Sequence, residues 1–112
     1  MIEAGDHLVA HSYGGVVALL AAPSLPLRSL TLLEPPAFAV ARGDPAVEAW
    51  LAPYGELDSA DAFLAHVGAP LRVGADAPPD LRRGAELLLT ERPPQEAEIP
   101  LARLPCPVLV VP

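Results

Sequence analysis

Lysine and asparagine are absent from this 112-residue chain, and cysteine occurs only once, as Cys106. Without asparagine there is no acceptor for N-glycosylation. A single cysteine excludes an intrachain disulfide, and such thiol usage is that of a cytoplasmic chain. With no lysine, the seven arginines stand scattered against 14 acidic residues, for a net charge of −7. A chain so charged offers no basic stripe to a phosphate backbone, so nucleic acid is excluded as a partner. Met1 to Asp6 carries acid where a secretory leader needs a basic region. Leu8 to Leu27 lacks formal charge, yet His11, Ser12, two glycines and two prolines interrupt it, which excludes a membrane span. A Walker loop, a G-x-G-x-x-G turn and a cysteine-histidine metal cluster are missing as well. No metal and no organic cofactor is therefore expected.

Apolar material is plentiful. Of the 112 residues, 33 are Leu, Val, Ile or Phe, far above the disordered range, and 23 are Pro or Gly. The pattern is a core punctuated by turns, sized for one small domain or part of a larger one.

The most informative segment is His11-Ser12-Tyr13-Gly14-Gly15, between the apolar runs Leu8-Val9-Ala10 and Val16 to Ala22. His7 to Ala10 reads as a buried strand and Tyr13 to Ala22 as a helix, ended by Pro23-Ser24-Leu25-Pro26. A strand, a sharp small-residue turn carrying serine, and a helix together form a nucleophile elbow. The turn strains the serine backbone and pushes its hydroxyl beyond the strand end. Helix N–H groups and the positive end of the helix dipole then face any developing oxyanion. Ala10 stands where G-x-S-x-G has its first glycine; it is the smallest residue with a Cβ and keeps the approach close.

Ser29 to Leu33 is a second apolar strand, closed by Glu34-Pro35-Pro36, and Pro107 to Val111 is a third. Strand, helix and strand of these lengths make a parallel crossover unit. Runs without polar alternation suit a parallel sheet covered on both faces. The roughly 70 residues between the second and third strands should form their own helical layer. Helices are expected near Pro45 to Leu51 with Asp44 as N-cap, near Ser59 to Val67 with Ser59 capping, and over Pro79 to Thr90. No internal repeat and no coiled-coil heptad occurs.

These residues resemble the α/β-hydrolase fold superfamily. The likeness runs through Leu8 to Gly15, then Leu30-Thr31-Leu32-Leu33-Glu34-Pro35, then Pro105 to Val111. It implies an α/β fold: parallel strands corresponding to the fifth, sixth and seventh of an eight-stranded sheet, with a helical cap inserted between the last two. The organisation expected is a core segment with the elbow over residues 1–34, a cap-like excursion over 35–104, and a core strand over 105–112. By that resemblance Ser12 is the nucleophile of a hydrolase that cleaves an ester, or a related acyl or carbon–carbon bond, of a small-molecule substrate. The N–H of Tyr13 is one oxyanion donor; its usual companion comes from a loop after the third family strand, which would precede Met1. The family's histidine follows its eighth strand and would lie beyond Pro112, so the isolated chain is expected to be inactive. A second reading is a non-catalytic hydrolase-like fragment or interaction module.

Glu34, at the carboxyl end of the second strand, stands where some members carry the triad acid. A strand-end carboxylate that contacts the elbow or the cap is the alternative. None of the three histidines suits the base. His11 adjoins Ser12 and is expected to pack beside the elbow. His7 and His11 have metal-pair spacing, but on a strand they stand roughly 13 Å apart and cannot share a zinc ion. His66 belongs to the cap-like region. Asp58 with Asp61, and Glu96 with Glu98, read as solvated charges, and Cys106 as a structural thiol.

Overall fold

The computed structural model describes residues 1–112, which form two compact units. The first comprises Met1–Arg42 and Pro93–Pro112, the second Gly43–Arg92.

In the first unit, strand β1 (His7–His11) leads through Ser12 into helix α1 (Tyr13–Ala21). The helix tightens into a 3-10 turn over Ala22–Ser24 as Pro23 intervenes, and strand β2 (Ser29–Leu33) follows. Strand β3 (Val108–Val111) closes a three-stranded sheet of order β1-β2-β3. Both pairings are parallel, with His11 opposite Leu33 and Leu33 opposite Val111. The expected crossover is therefore present; β2 has the expected limits, whereas β1 runs one residue further than its apolar run, through His11.

The core lies between α1 and one sheet face. Ala18, Leu19 and Ala22 pack against Leu27, Leu30 and Leu32, with Leu8, Ala10, Cys106 and Val108 at the margin. Leu30 and Leu32 are the largest side chains wholly removed from solvent. Alternate residues point the other way, as the pleat requires. On that face Val9 is 61% and Leu109 60% exposed, because the helix of this unit covers only the opposite side. β1 and β2 thus alternate in burial despite a composition suited to cover on both faces.

Two stretches of the long excursion stay with the sheet unit. One-turn 3-10 helices at Phe38–Ala41 and Pro94–Glu96 pack on each other, so the second unit leaves and rejoins the first at neighbouring points.

The second unit, taken by itself, holds α2 (Pro45–Leu51), α3 (Ala60–His66) and α4 (Pro79–Leu88). The Asp44 carboxylate accepts from the N–H groups of Ala46 and Val47, with Pro45 at the first helical position; Ser59 Oγ accepts from Ala62 N–H. Asp61 is not a free surface charge: its Oδ1 accepts from Val73 N–H at 2.6 Å and ties the following loop to α3. Leu64 and Ala85 are buried where α3 meets α4. His66 lies against Trp50, ring centroids 4.3 Å apart, and edge-on to Tyr54. No helix of the chain is long and apolar enough to cross a membrane.

Candidate active site

Ser12 occupies the turn between β1 and α1 with φ 51° and ψ −131°. Side chains seldom adopt positive φ, since the Cβ crowds the backbone, and the cost is of order 1–3 kcal/mol. The surrounding bonds hold it there. Ser12 N–H continues the sheet ladder to the Leu33 carbonyl at 2.9 Å, while its own carbonyl accepts from Gly15 N–H at 2.8 Å. A serine at this position ordinarily caps its helix. This one makes no side-chain capping bond, and it stands exposed at the carboxyl edge of the sheet.

Gly15 explains part of the small-residue requirement. A Cβ there would lie 3.0 Å from the Cβ of Pro35, tighter than most side-chain contacts, so that Pro35 would have to give way. Gly14, by contrast, has open space around it. The close approach therefore joins the first turn of α1 to the segment that follows β2, and Glu34 immediately precedes that contact.

Glu34 is the only other non-glycine residue with positive φ, at 46°. Its N–H donates to the Val111 carbonyl at 2.7 Å, so the ladder again runs one residue past the strand. Ser12 and Glu34 each come directly after the last paired residues of their strands, His11 and Leu33. Two strained, exposed, chemistry-bearing residues thus lie at the ends of neighbouring strands at one sheet edge. Tyr13 opens α1, which puts its backbone N–H next to the serine.

His11 departs from expectation. It does not pack down beside the elbow; its side chain is 65% exposed, with Nε2 3.4 Å from Oε2 of Glu34. The strand pleat turns it away from the α1 face, and the left-handed backbone at Glu34 leaves the carboxylate within its reach. An exposed pair of this kind is worth at most about 1 kcal/mol. The sequence carried one hint of it: His11 directly precedes Ser12, as Leu33 directly precedes Glu34. Only the register shows that the two strand ends coincide. His7, at the other end of β1, bonds Ser29 Oγ through Nδ1 at 2.6 Å. His66 belongs to the aromatic group of the second unit, its Nε2 buried without a hydrogen-bond partner. Cys106 is half-buried against the core.

One feature of the first unit was not apparent from the sequence. On the α1 side of the sheet lies a cavity of about 420 Å³, bounded by Leu19, Leu32, Pro35, Phe38, Leu104 and Val110 among others.

A family model described as the alpha/beta hydrolase family matches residues 2–112. No curated protein and no solved structure matches significantly.

Proposed function

Because the chain belongs to the alpha/beta hydrolase family, its function is of the hydrolase type, and we propose that Ser12 is the nucleophile that attacks an ester-like carbonyl. The observation that supports this best is the backbone at Ser12. A positive φ at a non-glycine residue, locked by two hydrogen bonds and leaving the hydroxyl unused by the helix, has no packing role that glycine would not fill better.

The chemistry follows from the arrangement. A histidine takes the proton from Ser12 Oγ, and the oxygen adds to the substrate carbonyl. The resulting oxyanion is met by Tyr13 N–H and the positive end of α1. Collapse expels the alcohol, protonated by the imidazolium, and leaves an acyl-enzyme that water then cleaves to acid and free serine. Glu34 orients that imidazole and stabilises its charged form. The family's chain order of serine, acid and histidine puts the base after Glu34. We take the helical excursion over residues 35–104 as the cap that shapes substrate choice. The contact with His11 favours a second reading of Glu34 alone, as a strand-end carboxylate that anchors the edge.

Hydrolysis of an activated ester by the protein that carries this chain together with its histidine tests both assignments. Ser12→Ala should lower turnover by at least about a thousandfold, leaving only what binding and the oxyanion donors supply. Glu34→Gln should cost roughly 10²–10⁴ in kcat with the fold intact. Undiminished turnover in the alanine variant would end the nucleophile assignment; near-normal kcat in the glutamine variant would leave Glu34 its structural role.

A further inference from the structure

The role proposed for Glu34 requires a carboxylate held in one direction. Its backbone is fixed: φ is 46°, and its N–H donates to the Val111 carbonyl at 2.7 Å. Its side chain is not walled in. It is 72% exposed, and a glutamate in water spreads over many rotamers. The hydrogen-bonding side chain that reaches it is His11, whose Nε2 stands 3.4 Å from Oε2.

His11 is suited to hold that carboxylate. It is the last paired residue of β1, opposite Leu33, so the ladder fixes its backbone directly across from the residue before Glu34. Its ring turns about few torsions, and little freedom is lost in keeping the contact. An ionised carboxylate only accepts, so the hydrogen belongs to Nε2. That hydrogen is present in the neutral Nε2 tautomer and in the imidazolium alike, and the contact does not depend on the charge of His11. The bond engages Oε2 and leaves Oε1 to a second partner. Its 3.4 Å exceeds an ordinary N–H···O length, and catalytic contacts commonly tighten once substrate is bound.

We propose that His11 is a positioning residue. Its Nε2–H fixes Oε2 of Glu34, so that Oε1 is presented to the histidine that serves Ser12. This role rests on the reading of Glu34 as the acid that orients the base. His11 neither touches substrate nor transfers a proton in it, and acts through Glu34 alone.

Ester hydrolysis by the protein that carries this chain together with its histidine tests the role. His11→Ala should lower kcat about three- to tenfold, the effect of one exposed bond to a charged group, with KM within about twofold. His11→Gln should restore most of that loss, because its amide nitrogen stands where Nε2 does. His11→Asn, whose nitrogen falls short of that point, should not. In a Glu34→Gln background the loss from His11→Ala should vanish, since the two residues act as one unit. A wild-type kcat in His11→Ala, beside a Glu34→Gln variant of reduced kcat, would overturn the role and leave Glu34 as the acid. So would an undiminished loss in the Glu34→Gln background, which would trace the effect to the neighbouring Ser12 turn. Near-normal kcat in Glu34→Gln alone would instead reject Glu34 as the acid, and the role of His11 with it. If His11→Ala fails to fold, the contrast between His11→Gln and His11→Asn decides, equal kcat in the two being the adverse result.

Discussion

At the scale of single residues, the role proposed for Ser12 sets function against stability. Relief of an unfavourable backbone is worth of order 1–3 kcal/mol, and glycine gives back roughly 0.5–1 kcal/mol through the greater freedom of its unfolded chain. Ser12→Gly should therefore raise the free energy of unfolding by about 1 kcal/mol, and on the proposed reading of Ser12 as nucleophile it also abolishes turnover. Urea unfolding of the two proteins, with unchanged slope, measures the difference. A less stable glycine variant would mean that the hydroxyl contributes to the fold and that φ 51° carries little strain. The serine and its small neighbours were legible in the sequence because they are contiguous. The partnership of His11 with Glu34 was not, for 23 residues separate them and only the ladder between β1 and β2 brings them together.

Elements were legible to the degree that their determinants are local. The limits of β2 follow from an apolar run stopped by Glu34-Pro35-Pro36, and they match the structure residue for residue. Asp44 and Ser59 cap α2 and α3 through bonds two or three residues long, within the reach of pattern reading. Burial across the sheet was less accessible, since it depends on where helices lie and not on strand composition. Leu32 faces α1 and is 2% exposed, whereas Val9 faces away. Leu32→Ala should accordingly destabilise by about 2–5 kcal/mol, the cost of a cavity in a close-packed core. Val9→Ala should cost less than about 1 kcal/mol, because its methyl groups already meet solvent. Thermal or urea unfolding of both variants checks the contrast. Equal losses would show that Val9 is covered in the protein as it occurs.

For the molecule as a whole, the second unit, residues 43–92, buries Leu64 and Ala85, and the sheet unit carries its own core. The segments that flank that unit, Phe38–Ala41 and Pro94–Glu96, pack on each other. Replacement of residues 43–92 by a short Gly-Ser linker should thus leave the sheet unit folded, because a flexible loop costs little more than the chain it replaces. Slow amide exchange at Leu30 to Leu33 in the shortened protein would be the sign of it; loss of that protection would mean that the sheet depends on the excursion. The same ladder that pairs β1 with β2 has a consequence for descent. Ser12 and Glu34 share one sheet edge because hydrogen bonds align the strand ends, not because a set number of residues lies between them. Insertions and deletions between Pro23 and Arg28, or anywhere in the excursion, can accumulate over generations without altering that spacing. A single codon gained or lost within either strand would separate the two at once. Length is free to drift in the connections and is held fixed in ten residues of strand.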